Sequence, residues 1–97
     1  MPENDFLFYM IDVDIYQKNY GVIETVKSDL FRTTDEKEAK RFAKNYAKNE
    51  SNFDFKYLHN KNGDYYLVTI RKYYKEETET ENGEWDDWET IKVKNPK

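Results

Sequence analysis

The stretch 62–83, NGDYYLVTIRKYYKEETETENG, decides the fold, because it holds an alternating apolar run between two Asn-Gly pairs. Asn-Gly is the preferred pair in two-residue type I′ turns, where both positions need a positive φ. Apolar residues at every second position are typical of a half-buried strand. We therefore predict tight hairpin turns at Asn62-Gly63 and Asn82-Gly83, with residues 64–75 as a central strand.

The neighbouring segments extend this strand into an antiparallel sheet. The aromatic run 53–59 and the segment 84–94 predict strands on either side of it, and together they form a three-stranded meander. Near the N-terminus, residues 5–16 (DFLFYMIDVDIY) predict a long strand, and a second strand follows at about 22–31 after turn residues 18–21. The predicted core face of the first strand consists of Leu7, Tyr9, Ile11, Val13 and Ile15.

One helix is predicted between the two halves of the sheet. Thr33 and Glu36 have the spacing of a capping box, and Asn49 is a suitable C-terminal stop. An apolar stripe with helical spacing lies between them, formed by Ala39, Phe42, Ala43, Tyr46 and Ala47. The prediction is a single α+β domain over residues 1–97, in the order ββαβββ, with the helix packed on one face of an antiparallel sheet. Its core is expected to contain Ile11, Val13, Phe42, Tyr46, Val68 and Ile70.

Composition is consistent with one small folded domain in the cytoplasm. The chain has 97 residues, of which 18% are aromatic, and it contains no cysteine that could form a disulfide. Its first residues lack the basic region of a signal peptide, and the longest apolar run, 6–11, is far too short to span a bilayer. We therefore expect no association with a membrane.

Charge is distributed very unevenly along the chain. The net charge is −4, yet residues 76–91 alone carry −8 without any Lys or Arg, so the remainder carries +4. A tight turn at Asn82-Gly83 would place Glu79 opposite Asp86 and Glu76 opposite Glu89, which is destabilising. We therefore predict an acidic hairpin arm at about 76–89, with a looser loop as the alternative.

Side chains for catalysis are sparse. His59 is the only histidine and cysteine is absent, which argues against a zinc site and against nucleophilic catalysis. Asp12 and Asp14 share one strand face and could bind Mg²⁺ or form a carboxylate pair for acid/base catalysis, but two acids on a solvated face are common. We expect no enzyme activity, no cofactor and no metal.

Two further surfaces are candidates for binding. One face of the central strand carries Tyr65, Leu67, Thr69, Arg71 and Tyr73, a composition found both at protein interfaces and in sheets that stack bases. The helix exposes basic residues from Lys37 to Lys48, which suit either phosphate contacts or ordinary solvation. A small nucleic-acid-binding module is thus an alternative function, and a self-associating structural protein is another.

The chain resembles small acidic proteins of Gram-positive phages and mobile elements. The shared features are shortness, lack of cysteine, richness in Lys, Glu, Asn and Tyr, and a strand-helix-strand layout with the phrase FRTTDEKEA at 31–39. Some of these proteins are anti-CRISPR or anti-restriction inhibitors that block the DNA-binding groove of a nuclease with carboxylates. The resemblance implies such an inhibitor, acting in the cytoplasm of a bacterial host.

The leading hypothesis is a non-enzymatic, protein-binding inhibitor or adaptor. Its partner would be a protein with a basic groove, such as a nuclease or another nucleic-acid-binding protein, rather than nucleic acid itself. A homodimer is compatible with this hypothesis. The predicted partner-binding residues are Glu76, Glu77, Glu79, Glu81, Glu84, Trp85, Asp86, Asp87, Trp88 and Glu89, and the secondary surface is Tyr65, Arg71 and Tyr73.

Overall fold

The computed structural model describes residues 6–58, 63–75 and 84–94, the last range as backbone only up to Asp87. These residues form β1 (Phe6–Gln17), β2 (Val22–Thr33), α1 (Glu36–Lys48), β3 (Tyr65–Tyr74) and β4 (Glu84–Val93). The strands make one antiparallel sheet in the order β2-β1-β3-β4. The predicted α+β class is confirmed, and so is the central position of β3, which pairs with β1 on one side and β4 on the other.

The β1–β2 hairpin closes where the turn residues predicted it. The backbone amide of Gly21 donates to the carbonyl of Gln17 at 2.9 Å, and Gly21 adopts a φ of 65°. Glycine populates this left-handed region without the steric cost that a Cβ atom brings. The chain therefore reverses within four residues, and β2 lies along the outer side of β1.

The strand predicted at 53–59 is wrong, because the chain there forms a short 3-10 helix, Phe55–Tyr57, directly after another at Glu50–Asn52. Side chains start both turns: Asn49 accepts from the amide of Ser51 at 3.1 Å, and Asp54 accepts from that of Lys56 at 3.0 Å. Such local hydrogen bonds compete with a strand ladder. The aromatic residues of this segment still fill the core, where Phe53 is buried. His59 and Asn62 lie outside the described residues, so the predicted tight turn at Asn62-Gly63 remains a prediction.

The core lies between the sheet and α1. Ile11, Val13, Val68 and Ile70 are at most 1% exposed, and Phe42 and Tyr46 pack against them from the helix. The four predicted strand residues are therefore confirmed as buried core, whereas the two predicted helix residues, Phe42 and Tyr46, are only partly buried against it. Two small helix residues with no exposed surface, Ala39 and Ala43, allow the helix to approach the sheet closely.

Leu7, which was also predicted in the core, is 45% exposed. The pairing of β1 with β3 is irregular between Phe6 and Phe8, and this irregularity interrupts the simple alternation of the strand. Phe6 packs against the core instead, with its ring 4.9 Å from that of Tyr9.

The N-cap of the helix lies two residues later than predicted. Asp35, not Thr33, is the N-cap, and its carboxylate accepts from the amides of Lys37 and Glu38 at 2.9 and 3.4 Å. Thr33 supports this cap from outside, because its hydroxyl accepts from the amide of Asp35 and donates to the Glu38 carboxylate. The carboxylate satisfies two of the amides that a helix N-terminus leaves open. At the other end, Asn49 is the C-cap, as predicted.

We expect Phe42→Ala to lower the free energy of unfolding by about 2–3 kcal/mol. This is below the roughly 3–5 kcal/mol of a fully buried phenylalanine, because the ring is only partly buried. It is stacked 4.6 Å from the ring of Phe31, so its loss leaves a gap between β2 and α1. Urea unfolding measures the change, with the exposed neighbour Lys44→Ala as control. A loss no larger than that of the control would show that the helix face is misassigned.

Candidate functional site

A buried ion-pair network lies on the face of the sheet opposite α1. Asp12 and Asp14 on β1 are each 2% exposed, and Arg71 on β3 is 9% exposed. One guanidinium nitrogen of Arg71 is 2.6 Å from the Asp12 carboxylate, and the other is 2.8 Å from that of Asp14. A single guanidinium therefore bridges two carboxylates, an arrangement that its planar fork of donors allows.

Further donors complete the network around both carboxylates. The hydroxyls of Thr69 and Thr25 donate to the two oxygens of Asp14, each at 2.8 Å. The backbone amide of Asp29 donates to Asp12 at 2.8 Å, and the Ser28 hydroxyl donates to the same oxygen at 3.3 Å. The expectation of two acids on a solvated strand face is therefore wrong. The carboxylates are buried, and their oxygens are engaged by protein donors rather than open to a metal ion.

Aromatic rings surround this network on the same face. Phe8 stacks on Tyr73 at 5.3 Å, and Tyr16 lies 5.0 Å from Tyr65 at the other end. All four rings are half-buried. Together they form the aromatic rim, which shields the charged centre although the helix packs on the other face of the sheet.

Two ionisable groups at this rim have shifted pKa values. Burial, and secondarily the Asp12 carboxylate, raises the pKa of Tyr73, so this phenol stays protonated further into the alkaline range. The hydrogen bond from Arg32 lowers the pKa of the exposed Asp29 carboxyl. The same guanidinium lies 4.8 Å from the centre of the Phe8 ring, so it joins the acid to the rim.

The secondary surface predicted on β3 thus differs from the prediction, because its arginine is not exposed. Tyr65 and Tyr73 are only half-buried and belong to the rim, but Arg71 is held inside by two carboxylates. Leu67 and Thr69, which share that face, are buried as well. The rings of this face are half-buried at the surface, and its guanidinium is held within the fold.

The predicted acidic arm is described only in part. Residues 76–83, which include Asn82-Gly83 and four of the glutamates, lie outside the described residues. The pairing of β3 with β4 places Glu84 opposite Tyr74 and Asp86 opposite Lys72. The predicted register, with Glu79 opposite Asp86 and Glu76 opposite Glu89, is therefore wrong. The predicted tight turn at Asn82-Gly83 and its looser-loop alternative both fall on residues 76–83, outside the described ranges, and stay predictions.

This register brings acids of β4 next to bases of β3. Asp86 and Asp87 pair along the backbone with Lys72 and Arg71, and Trp85 pairs with Tyr73. The ammonium of Lys72 lies 5.8 Å from the ring of Trp88 and at similar distances from two other rings on the helix side. Arg71 is bound by Asp12 and Asp14, so both basic register partners are engaged within the domain.

Trp88 occupies an irregular position in β4. The pairing shifts between Ile70 and Arg71, and Trp88 is the extra residue there, between Asp87 and Glu89. Its ring lies 5.0 Å from that of Tyr9 and packs against the core, and the ammonium of Lys40 lies 5.0 Å from the ring. A bulge commonly re-aims a side chain in this way. The structure therefore places this predicted partner-binding residue at the junction of sheet and helix.

A groove that the sequence did not suggest lies between β2 and the 3-10 segment. Its volume is about 450 Å³, with Val13, Ile15 and Phe53 among its lining residues and Lys27 and Asp54 among the charged ones. It exists because residues 50–57 form turns rather than a paired strand. The sequence signal for it was the pair of capping residues, Asn49 and Asp54, which favour turns in this segment.

The basic residues of α1 form the remaining charged surface. Lys40 makes an ion pair with Glu36 at 3.4 Å, and a shallow depression follows the exposed side of the helix. Its lining residues are Lys37, Lys40, Arg41, Lys44, Asn45 and Lys48. Acids within the same helix offset part of this charge.

Comparisons with protein-family models, with curated proteins and with solved structures find no match to the chain. Within the part of the chain that the structure describes, no helix is both long and apolar enough to cross a membrane.

Proposed function

We propose that this protein is a non-enzymatic inhibitor or adaptor that binds a basic protein through its acidic segment, residues 76–89. The observation that carries the proposal is that the two bases of β3 that pair with acids of this segment along the backbone are engaged elsewhere. Arg71 is saturated by Asp12 and Asp14, and Lys72 lies over aromatic rings on the helix side. The charge of the segment therefore suits cations supplied by another molecule.

A partner surface that binds nucleic acid fits this charge pattern. Carboxylates spaced along a chain can occupy positions that phosphates take opposite Arg and Lys. Electrostatic complementarity of this kind raises the association rate and selects the partner. The anti-CRISPR and anti-restriction inhibitors that the sequence resembles use carboxylates in the same way, so a phage anti-defence role in the bacterial cytoplasm is the form of the proposal we favour.

The engagement of Arg71 also bears on the alternative of a nucleic-acid-binding module. A base-stacking sheet needs a cation that reaches phosphates, and Arg71, the cation predicted for this role, is 9% exposed and ion-paired. Arg32 on the same face is half exposed, but its guanidinium is paired with Asp29. The basic side of α1 stays available, but the net charge of −4 opposes binding to a polyanion. Protein binding is therefore the better-supported function.

The test neutralises three acids outside the described strand pairing, Glu77→Gln, Glu79→Gln and Glu81→Gln, in one variant. Tagged protein captures partners from a bacterial lysate that has been treated with nuclease. We expect proteins that the wild type retains to be lost with this variant and to be displaced by duplex DNA. Captured partners should also dissociate as salt rises from 0.1 to 1 M, where the Debye length falls from ~10 to ~3 Å.

A matched control removes the same number of charges outside the acidic segment, with Glu36→Gln, Glu38→Gln and Glu50→Gln together. We expect this variant to capture the same partners as the wild type. The melting temperature of the acidic-segment variant should be unchanged or higher, because like charges along one segment repel. Equal capture by both variants would refute the proposal, as would partners that disappear on nuclease treatment.

A further inference from the structure

The outer strand β2 exposes an unusually long edge. Every residue from Val22 to Asp29 is exposed, including three large apolar side chains, Val22, Ile23 and Val26, at 43%, 56% and 48%. In the described part of the chain, β2 pairs on one side only, with β1. Natural proteins protect such edges, because their free amides and carbonyls are a template for another strand.

The side chains of this edge are sorted onto two faces. Thr25 and Ser28 donate to the buried carboxylates, so they lie on the face opposite α1. Lys27 reaches the hydroxyl of Tyr46 on α1 at 3.5 Å, and Glu24 lines the groove on that same side. Glu24 and Lys27 share a face although they are three residues apart, because the pairing with β1 shifts between Thr25 and Lys27 and leaves Val26 as an extra residue.

The charged residues on one face of β2 can pair with the same residues of a second copy. We infer that the β2 edge binds β2 of a second copy, antiparallel about a two-fold axis, with Glu24 of each copy opposite Lys27 of the other. Opposed residues in an antiparallel pair point to one face, and opposite charges there stabilise the pairing. The same register sets Ile23 against Ser28, which also share a face. A two-fold axis makes each favourable contact twice.

Neighbouring registers lack this match. A shift by two residues in one direction opposes Glu24 to Asp29, two like charges. A shift in the other direction opposes Val22 to Lys27 and loses both charge pairs. Shifts by one residue set Lys27 against Ile23 or Thr25, whose side chains lie on the face opposite α1. Charge complementarity therefore selects one register and a second copy of this chain as the occupant.

The expected dimer is weak. The eight paired residues 22–29 span roughly 27 Å at about 3.4 Å per residue, and an edge contact of this length falls short of the ~800 Å² per partner of a standard interface. Association should therefore depend on concentration. It joins two four-stranded sheets into one of eight strands, with β4 at both outer edges.

Charge reversal tests the inference by sedimentation equilibrium at several concentrations. Glu24→Lys and Lys27→Glu should each weaken dimerisation at least tenfold, because each places like charges opposite one another twice. Mixing the two single variants restores opposite charges at both positions, so the mixture should dimerise as the wild type does. The double variant Glu24→Lys with Lys27→Glu should also dimerise. Lys44→Glu on α1, which changes net charge as Lys27→Glu does, should have no effect.

Amide hydrogen exchange gives a second measurement that does not depend on variants. Protection of residues 22–28 should increase with protein concentration, while that of β4 should not. Circular dichroism establishes that each variant is folded. A wild type that stays monomeric at millimolar concentration would overturn the inference. So would single variants that dimerise normally, or a mixture of the two that fails to associate.

Discussion

Arg71→Met should lower the free energy of unfolding by about 3–5 kcal/mol, the usual cost of removing one partner from a buried ion pair. The substitution leaves Asp12 and Asp14, each 2% exposed, as two uncompensated charges next to each other. Methionine keeps much of the volume of the arginine stem, so lost packing contributes little. Guanidinium unfolding of both proteins, followed by circular dichroism, measures the difference.

Two controls separate charge from geometry in this experiment. Arg71→Lys keeps the charge but cannot bridge both carboxylates with a planar fork. Its free energy of unfolding should therefore lie between those of the wild type and Arg71→Met. The triple variant Asp12→Asn, Asp14→Asn and Arg71→Met removes all three charges, and we expect it to recover most of the lost stability. If Arg71→Met cost less than 1 kcal/mol, the network would contribute little to folding.

Trp88→Ala should lower the free energy of unfolding by roughly 2–4 kcal/mol, near the range for truncating a buried tryptophan. The ring is half-buried, packs 5.0 Å from Tyr9 and has the ammonium of Lys40 at the same distance. Its loss removes a contact between β4, β1 and α1 at once. Thermal and urea unfolding measure the change, and intrinsic fluorescence can be followed with the remaining tryptophan, Trp85.

The same variant distinguishes two roles for the ring. Trp88→Phe should recover about half of the lost stability, because an aromatic ring can still pack on Tyr9. Partner binding by Trp88→Ala, measured well below its melting temperature, should change little. Unchanged stability with a faster dissociation from the partner would show that Trp88 is an interface anchor and that its packing is not needed for the fold.

Local patterns in the sequence were sufficient to predict most of the fold. Alternation identified β1 and β3 and the residues of their helix face, and the spacing of Ala39, Phe42, Ala43 and Tyr46 identified the buried side of α1. These signals depend on burial of one face by a regular element, which neighbouring residues determine. The predicted strand at 53–59 was wrong because aromatic content indicates burial as much as strand, and the caps at Asn49 and Asp54 favoured turns.

The candidate site depends on long-range pairing, and the sequence did not reveal it. Asp12 and Asp14 meet Arg71 only through the register of β1 with β3, which joins residues nearly sixty positions apart. A clue was present in β1, where these acids lie between Ile11, Val13 and Ile15 in a strand that is apolar on its other face. The register of β4 was predicted wrongly because the Asn82-Gly83 signal is local, whereas pairing depends on the whole length of both strands.

The bridging of two strands by Arg71 bears on how the chain selects one topology among its competitors. Apolar alternation repeats every two residues, so burial alone scarcely distinguishes the native pairing of β1 and β3 from one displaced by a single pleat repeat. In a displaced pairing, Arg71 moves by about 7 Å along β1, and the guanidinium can no longer bridge Asp12 and Asp14. The network thus penalises misaligned states more than it stabilises the native one. A triple variant without these charges should keep its stability and yet populate more than one strand alignment, visible as extra amide resonances.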